Sequence, residues 1–222
     1  LQLEQGQTLG IVGKTGSGKT TLIKQLLREY PAGEGSLTFA NIPIEQQTKE
    51  QVRNWIGYVP QDHVLFSRTV KENILFGHPD GTDADIETAI RLSHFQKDLE
   101  MLPQGLETLV GEKGVALSGG QKQRISIARA LIKNPEILLL DDSLSAVDAK
   151  TEARIIENIQ LERKDKTTII STHRLSAIQH ADRIIVLDDG VMIEEGTHED
   201  LLANEGWYKE QFDRQQIEEV PS

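Results

Sequence analysis

Residues 13–20 read GKTGSGKT, a stretch that fits the phosphate-binding loop pattern G-x-x-x-x-G-K-[ST]. Gly13 and Gly18 occupy the two glycine positions, and Lys19 and Thr20 close the pattern. Glycine suits such a loop because a backbone that wraps a phosphate adopts φ values and close approaches that a Cβ atom would obstruct. The stretch therefore predicts a turn that presents its backbone amides to an anion.

The residues on either side give this loop its structural context. Thr8 to Val12 (TLGIV) is a short apolar run, which indicates a buried strand. After the loop, apolar residues recur at helical spacing, at Leu22, Ile23, Leu26 and Leu27, until Pro31 and Gly33 end the pattern. A strand before the loop and a helix after it favour nucleoside triphosphate binding over a glycine-rich turn that merely contains a lysine.

Individual residues of the loop have predicted tasks toward a bound nucleotide such as ATP. Lys19 is expected to reach the β- and γ-phosphates, and the Thr20 hydroxyl is expected to hold Mg²⁺. The start of the following helix adds partial positive charge. The predicted nucleotide-binding residues of this segment are Gly13, Lys14, Thr15, Gly16, Ser17, Gly18, Lys19, Thr20 and Thr21.

The composition limits the classes of protein to consider. The chain has 222 residues, and 35 acidic against 24 basic side chains give it a net charge of −11. This acidity argues against a nucleic-acid surface, which needs clustered basic residues. The sequence has no cysteine, and no apolar run approaches the ~20 residues that span a bilayer. A start at Leu1, so close to the phosphate loop, leads us to expect a piece of a longer polypeptide.

Apolar runs and turn signals alternate along the chain in a pattern typical of an α/β fold with a mainly parallel sheet. Further strands are predicted at Trp55 to Val59, Ile137 to Leu140 and Thr167 to Ser171, and hairpins at Gly35 to Ile44 and Arg183 to Glu194. The first hairpin is expected to turn at Asn41-Ile42-Pro43. Residues 67–133 are mainly helical in pattern, and we interpret them as a helical subdomain inserted into a core of residues 1–66 and 134–222.

Two other segments have helical patterns of interest. LSGGQ at 117–121 offers a second candidate anion site, because Ser118 is a favourable N-cap and the glycines leave amides uncovered at a helix start. The phosphate loop already provides a binding site for one triphosphate, so we predict that this helix end contacts a nucleotide bound by another subunit. The alternative is an ordinary capped helix with no ligand. Near the C-terminus, one helical face is predicted to pack on the body with Trp207, Tyr208, Gln211, Phe212 and Gln215.

Six motifs occur in a characteristic order: GKTGSGKT, YVPQD at 58–62, LSGGQ, ILLLDD at 137–142, SAVD at 145–148 and STHR at 171–174. This succession resembles the ATP-binding cassette (ABC) proteins over essentially the whole chain, and LSGGQ after a phosphate loop is highly specific to them. TLVGEKG at 108–114 and FSRTVKENILFG at 66–77 are similar to segments of ABC exporters. The chain thus resembles the nucleotide-binding domain of a bacterial heterodimeric, multidrug-type exporter. The fold implied is a RecA-like P-loop NTPase core with a helical subdomain; further N-terminal strands and a transmembrane domain are expected outside it.

The resemblance implies roles for residues outside the phosphate loop. Asp141 would orient Mg²⁺ together with Thr20 and Gln61. His173 would contact the γ-phosphate and help to position the attacking water, and Gln61 would act in the same step. Asp148 would touch the opposing subunit, and residues 108–114 the transmembrane domain. The residues that would bind the γ-phosphate of ATP in the partner's loop are Ser118, Gly120 and Gln121.

Asp142 departs from the family pattern, which has glutamate at this position as the base that polarises water. Aspartate keeps the charge but is one methylene shorter, which withdraws the carboxylate by about 1.5 Å. A misplacement of about 1 Å at a reacting centre can cost on the order of 100-fold in rate. Heterodimeric exporters typically carry such a replacement in one subunit, beside an intact signature. We therefore expect an asymmetric heterodimer in which this chain has the degenerate site, with a slow homodimer as the alternative.

A second departure concerns adenine. The family stacks the base on an aromatic residue from a strand before the phosphate loop, and no aromatic residue of this chain matches that position. We expect weaker nucleotide affinity than in a chain extended at its N-terminus.

The expected activity is ATP hydrolysis that drives export, by a domain at the cytoplasmic face of a membrane. Its expected partners are a nucleotide-binding domain of a second subunit and a transmembrane domain of its own polypeptide. Nucleic acid is not an expected partner. Two alternatives stay open: an ATP-dependent dimerisation switch with negligible hydrolysis, which Asp142 favours, and a soluble ABC ATPase not coupled to transport. Chromosome and DNA-repair ATPases insert long coiled coils between Gln61 and Ser118, and that interval is too short here.

Overall fold

A computed structural model describes residues 1–31 and 33–218 of the chain. The strands within these residues are β1 (Thr8–Gly13), β2 (Thr38–Phe39), β3 (Ile42–Pro43), β4 (Ile56–Val59), β5 (Ile137–Asp141), β6 (Thr167–Ser171), β7 (Arg183–Asp188) and β8 (Val191–Gly196). The α-helices are α1 (Lys19–Leu26), α2 (Lys49–Trp55), α3 (Val70–Leu75), α4 (Asp83–Leu92), α5 (Gln96–Met101), α6 (Gly119–Leu131), α7 (Ala149–Glu162), α8 (His198–Ala203) and α9 (Trp207–Glu218). None of these helices combines the length and the apolarity that a membrane crossing requires.

Six strands form one sheet in the order β4-β5-β6-β1-β7-β8. Every neighbouring pair is parallel except β7 and β8, which form an antiparallel hairpin at the edge. The inner strands are nearly continuous apolar runs because parallel sheets are covered on both faces. The prediction of an α/β fold with a mainly parallel sheet is confirmed.

The pairing register decides where the polar strand ends lie. Asp141 at the end of β5 pairs with Ser171 at the end of β6, and Ser171 in turn pairs with Ile11 of β1. The carboxyl ends of β4, β5, β6 and β1 therefore meet at one edge of the sheet. Loops that are far apart in the sequence are brought side by side at this edge.

Two apolar layers cover the sheet, one on each face. Alternate side chains of β5 enter different layers: Leu138 and Leu140 pack in one layer, and Leu139 packs in the other. Helices α7, α8 and α9 lie in the first layer, and α1 and α2 lie in the second. The sheet is thus held rigidly between helices, which fixes the positions of the loops at its edge.

A third apolar cluster belongs to the helical region between β4 and β5. Helices α3, α4 and α6 contribute Val70, Ile74, Ile90 and Ile125, and Phe95 lies between α4 and α5. Helix α6 joins this cluster to the sheet, because Ile127 and Leu131 pack in the first layer below the sheet. The start of α6 is thereby held in a fixed position relative to the sheet.

Two local predictions differ from the structure. The first hairpin turns at Ala40 and Asn41, which both have positive φ, and not at Asn41-Ile42-Pro43, because Ile42 and Pro43 already form β3. Trp55 ends α2 instead of beginning β4, since a capping box at Thr48 starts a helix that runs directly into the strand. The packing predicted for the C-terminal helical face is confirmed for Trp207, Tyr208 and Phe212.

Candidate functional site

A cleft of about 320 Å³ opens at the carboxyl edge of the sheet. Four segments that follow β1, β4, β5 and β6 contribute to it. Its lining residues are Thr15, Gly16, Ser17, Gly18, Lys19, Thr20, Thr21, Gln61, Asp141, Asp142, Ser171 and His173. Eleven of the residues predicted to bind nucleotide, metal or water are thus close together, while Gly13 and Lys14 of the same loop are not among the lining residues.

The backbone of residues 13–18 can form its loop only with glycine at certain positions. Gly13 has a φ of 152°, and a Cβ atom there would lie 2.1 Å from the carbonyl oxygen of Leu187. Gly18 has a φ of 103° and stands at the N-cap of α1. Gly16, at a φ of 83°, has open space where a Cβ would point. The loop is therefore packed against β7 on its inner side and open on its outer side.

Lys19 lies inside the loop. Its side chain is buried, and its Nζ donates hydrogen bonds to the carbonyl oxygens of Gly13 at 2.8 Å and Lys14 at 3.0 Å. Burial lowers the pKa of Lys19, and the negative charges of Asp142 and Asp141 oppose this change. These contacts fix a cationic group at the floor of the cleft, where it can meet an anionic ligand.

Asp141 lies next to Thr20 and Tyr58. Its Oδ1 accepts a hydrogen bond from Thr20 Oγ1 at 3.2 Å, and its Oδ2 accepts one from Tyr58 Oη at 3.5 Å. Only 1% of Asp141 is exposed, and this burial raises its pKa, while the hydroxyls of Thr20 and Ser171 act in the opposite direction. Burial, followed by the charge of Asp141, raises the pKa of Tyr58. The donors to Asp141 are neutral hydroxyls, so the burial of this carboxylate carries an energetic cost that a bound cation would reduce.

The donor atoms beside Asp141 suit Mg²⁺. The carboxylate of Asp141 and the hydroxyl of Thr20 lie together, Gln61 lines the same cleft with an amide oxygen of its own, and Mg²⁺ prefers oxygen ligands. Among the described residues, no group of three or more His, Cys, Asp and Glu side chains is placed to hold a metal by itself. This set fits an ion that is held by one carboxylate and completed by phosphate oxygens and water.

Asp142 has an unusual backbone conformation. Its φ is 45°, a left-handed geometry that aspartate adopts more readily than most residues. Its amide donates a hydrogen bond to the carbonyl oxygen of Ser171 at 2.8 Å, which fixes the turn. Its Oδ2 accepts a hydrogen bond from Gln61 Nε2 at 3.4 Å. The side chains of Asp142 and Gln61 thus face each other across the cleft.

His173 lines the cleft with an exposed side chain. The backbone on either side of it is held in place: Thr172 N donates to Ile11 O at 3.1 Å, and Arg174 N donates to Thr172 Oγ1 at 3.0 Å. Gln215 of α9 donates from its Nε2 to the carbonyl oxygen of His173 at 2.7 Å. The imidazole is therefore free to meet a ligand while its main chain is fixed.

Ser118, Gly120 and Gln121 are outside this cleft, at the start of α6. Ser118 Oγ accepts a hydrogen bond from Gln121 N at 3.2 Å, and Ser118 N donates to Gln121 Oε1 at 2.9 Å, which is a complete capping box. Gln121 Nε2 also donates to Asp98 Oδ1 at 3.1 Å. Arg124 forms an ion pair of 2.6 Å with Asp98 and holds this group against the helical region. The structure does not bring these three residues to the phosphate loop of the same chain.

Asp148 acts as the N-cap of α7. Its Oδ1 accepts a hydrogen bond from Thr151 N at 3.0 Å, and its Oδ2 accepts one from Thr151 Oγ1 at 2.7 Å. These bonds lower the pKa of Asp148. Arg174 links the preceding turn to the His173 loop by donating to the carbonyl oxygens of Val147 and Ser145.

Sequence reasoning missed three residues that line the cleft or hold its lining residues in place. Tyr58 was part of a predicted apolar strand, and its contact with Asp141 depends on β4 lying next to β5. Ser171 was the last residue of a predicted strand, yet it lines the cleft. Gln215 was placed only on a packing face. The motif STHR and the helical spacing of Gln215 were visible, but no sequence signal connected them.

Comparisons with known proteins add to this geometry. A family model described as "ABC transporter" matches residues 1–145. The chain is 70% identical over 215 residues to a probable multidrug resistance ABC transporter ATP-binding/permease protein, YheI, of Bacillus subtilis (strain 168), covering 97% of this chain and 37% of that protein. It is 47% identical over 216 residues to the multidrug resistance-like ATP-binding protein MdlA of Escherichia coli (strain K12), covering 97% of this chain and 37% of MdlA.

A solved structure of a bacterial Atm1-family ABC exporter with ATP bound has a TM-score of 0.91 and 42% sequence identity to this chain. The match covers 95% of this chain and 37% of the exporter chain. The present chain therefore spans a little more than a third of the length of the proteins that it resembles.

Proposed function

This chain belongs to the ABC transporter family as an ATPase domain, and from that premise we propose that it binds and hydrolyses ATP to drive export across a membrane. The observation that carries the proposal is the single cleft in which the phosphate loop meets Asp141, Asp142, Gln61 and His173. We place the domain at the cytoplasmic face of the membrane, as residues 1–66 and 134–222 with a helical subdomain of residues 67–133.

The phosphate loop holds the triphosphate in this proposal. Lys19 contacts the β- and γ-phosphates, and the amides of residues 14–20 surround them. Ser17 supports the assignment, because its Oγ is buried in the loop without a hydrogen-bond partner in the described structure. Buried polar atoms are rarely left unpaired, so a missing ligand is a natural partner. The outer side of Gly16 is open for the same ligand.

Thr20, Asp141 and Gln61 hold Mg²⁺ in this proposal. The ion, when bound, would neutralise charge on the β- and γ-phosphates. The Thr20 hydroxyl now donates to Asp141, and it would turn its lone pairs to the ion instead. The negative charges of Asp142 and Asp141 act on Lys19, and the ion would add positive charge to the side of the cleft where the two carboxylates lie.

For the hydrolysis step we assign Asp142 and His173 to the two sides of the attacking water. Asp142, oriented by Gln61, accepts a hydrogen bond from the water, and His173 donates one to the γ-phosphate. Such a reaction depends on positioning and charge neutralisation more than on covalent chemistry. The side chain of Asp142 is shorter than the usual glutamate, so we propose that this site is degenerate and turns over slowly.

We further propose an asymmetric heterodimer. Ser118, Gly120 and Gln121 lie outside the cleft of their own chain, at the start of α6, where Ser118 is exposed and Gly120 and Gln121 are half-buried. A nucleotide in a partner's phosphate loop would meet them there, and Asp148 would contact the same partner. The capping box at Ser118 fixes the start of α6 in one conformation, and the N-terminus of a helix is a favourable position for an anion.

Single-turnover ATP hydrolysis by the full-length polypeptide, reconstituted with its partner, tests the degenerate site. We expect Asp142→Glu to raise turnover at this site by roughly 10- to 100-fold, because the carboxylate is restored to the distance of the usual base. Asp142→Asn is the matched control and leaves the total rate of a heterodimer almost unchanged. A loss of most activity in Asp142→Asn would instead establish a homodimer that uses Asp142 as its base.

A dimerisation switch is the second candidate function, and Asp142 is the observation that favours it. In that case this chain would close on its partner with ATP and hold it without hydrolysis. The nucleotide recovered after long incubation with Mg²⁺ decides between the two candidates: ADP supports the enzyme, and intact ATP supports the switch.

We propose that the transmembrane part of the same polypeptide docks on an apolar patch of the helical region. Phe66 and Phe76 form its centre, with ring centroids 4.6 Å apart, and Phe76 is 63% exposed. Arg129 stacks over both rings. Val64 and Leu109 extend the exposed apolar surface, and Leu109 belongs to the segment of residues 108–114.

Phe76→Asp tests this docking surface. A charge in the patch should uncouple the domain, so transported substrate no longer stimulates the ATPase of the full transporter. Basal ATPase should persist, because the cleft is untouched. Ile217→Asp, at an exposed position on α9, is the control. Unchanged stimulation in Phe76→Asp would reject the proposed contact.

A further inference from the structure

The C-terminal helix α9 forms two hydrogen bonds with the loop that carries His173. Gln215 Nε2 donates to the carbonyl oxygen of His173 at 2.7 Å. Gln215 Oε1 accepts from the amide of Leu175 at 2.9 Å. One side-chain amide therefore binds a peptide oxygen and a peptide nitrogen two residues apart, and both of its hydrogen-bonding ends are used.

These two hydrogen bonds satisfy backbone groups at the start of the 3₁₀ helix that follows His173. Leu175 begins a 3₁₀ helix of residues 175–177, and the residue before it provides no side-chain cap. The first amides of a helix lack partners within it, so an acceptor from another element supplies the cap. The carbonyl oxygen of His173 directly precedes this turn. Gln215 thus links the carbonyl group of His173 to the first amide of the 3₁₀ helix.

Helix α9 can hold Gln215 in position because its other end is firmly anchored. Tyr208 is fully buried, and its Oη lies 2.8 Å from His198 Nδ1. Glu194 of β8 accepts a hydrogen bond from Trp207 N at 2.6 Å and so caps the start of α9. Phe212 packs on the core one turn later. Tyr208, Phe212 and Gln215 follow the i, i+4, i+7 spacing of one helical face, so the anchor and Gln215 share a side.

We propose that Gln215 is a positioning residue that sets the orientation of His173 toward the γ-phosphate of ATP. This inference rests on the proposed function, in which His173 contacts that phosphate. Gln215 does not line the cleft, and it acts only through the main chain of His173 and Leu175. The C-terminal helix, whose Gln215 follows His173 by 42 residues, thereby becomes part of the machinery that distinguishes ATP from ADP.

The test measures the preference for ATP over ADP at this polypeptide. The full-length protein, assembled with its partner, is photolabelled with an azido derivative of ATP, and ATP or ADP is added as a competitor. The label on this polypeptide is then counted after affinity capture under denaturing conditions. This readout isolates the γ-phosphate contact, because the phosphate loop holds the two shared phosphates of ATP and ADP alike.

Gln215→Leu should lower the preference for ATP roughly three- to tenfold while the affinity for ADP stays constant, since a hydrogen bond to a charged group is weakened and not removed. Gln215→Glu keeps the acceptor for Leu175 N but places an oxygen against the carbonyl of His173, so it should show a similar loss. Gln216→Leu, on the exposed face of the same helix, is the matched control and should behave as wild type.

A double-mutant cycle with His173→Ala separates positioning from a general effect on folding. If Gln215 acts through His173, Gln215→Leu adds nothing to His173→Ala. An unchanged ATP preference in Gln215→Leu, or a parallel loss of ATP and ADP affinity, would overturn the inference and leave the proposed function intact. Failure of wild type to be photolabelled would overturn the proposed function, and the inference with it.

Discussion

At the scale of single residues, the cleft concentrates groups that folding alone would not favour. Asp141 is a carboxylate with 1% exposure, and burial raises its pKa. Lys19 is a buried ammonium, and burial lowers its pKa. Each charge is kept at an energetic cost that a nucleotide and its metal ion would repay through contact. Stability and ligand binding therefore oppose each other at these positions.

Asp141→Asn should stabilise the domain without nucleotide by about 1 kcal/mol near pH 8. A carboxyl group whose pKa is raised by folding binds its proton more tightly in the folded state, so the unfolding free energy falls as the pH rises from the ordinary pKa of Asp, about 3.9, through the raised value. The advantage of the Asn variant should therefore be complete above the raised pKa and shrink as the pH falls toward the ordinary pKa of Asp. Urea unfolding at a series of pH values measures it, and a variant less stable than wild type at pH 8 would contradict the prediction.

Lys19→Met should weaken ATP binding by at least about tenfold. The substitution removes the cation from the floor of the cleft and leaves the carbonyl oxygens of Gly13 and Lys14 without their donor. Titration with a fluorescent ATP analogue gives the dissociation constant. Lys49→Met, at an exposed position on α2, carries the same change of charge and should bind as wild type. Equal binding by the two variants would remove Lys19 from the site.

At the scale of elements, the C-terminal helix depends on one buried aromatic residue. Tyr208 is fully buried against the first apolar layer. Tyr208→Ala should cost about 3–5 kcal/mol of unfolding free energy, because it leaves a cavity. Tyr208→Phe removes only the hydrogen bond with His198 and should cost about 1 kcal/mol.

Denaturant unfolding of the two Tyr208 variants measures both costs. Tyr30→Ala, at a residue that is 46% exposed, is the control and should change stability by less than about 1 kcal/mol. If Tyr208→Ala proved as mild as the control, α9 would not be anchored as described.

The elements themselves were largely predictable from local signals. Apolar runs of four or five residues with β-branched or leucine side chains marked β4, β5 and β6, and these strands agree with the prediction to within a residue. Ser118 was predicted to be a favourable N-cap, and it is the N-cap of α6. The first hairpin was placed correctly but its turn was not, because Ala40 and Asn41 adopt positive φ without a glycine to indicate it.

What the sequence did not show is the contacts that depend on the order of strands. Tyr58 meets Asp141 only because β4 lies beside β5, and Gln215 meets His173 only because α9 returns to the end of β6. Neither contact has a signature in local spacing. The phosphate loop, by contrast, is a local motif whose glycines satisfy constraints of their own backbone. Local residues of the site could therefore be named in advance, and those that support them from a distance could not.

At the scale of the whole molecule, the negative net charge opposes self-association. With a net charge of −11, two copies of this chain repel each other at long range. We expect the isolated domain, with ATP and without Mg²⁺, to sediment as a monomer at micromolar concentration and low salt. Higher ionic strength should allow weak self-association, since the repulsion is screened. A tight homodimer at low salt would count against the heterodimer that we propose.

The central position of β1 in the sheet limits how early the domain can fold during translation. β1 pairs with β6 and β7, whose first residues are Thr167 and Arg183, so the strand that carries the phosphate loop has no neighbours until almost the whole domain has been translated. At 5–20 residues per second, a ribosome needs on the order of ten seconds between the loop and the His173 segment. During that interval the apolar strand β1 has no strand to pair with, and exposed apolar segments of this kind are prone to aggregate. A nucleotide can act as a folding ligand only after β7, the last inner strand of the sheet, is in place.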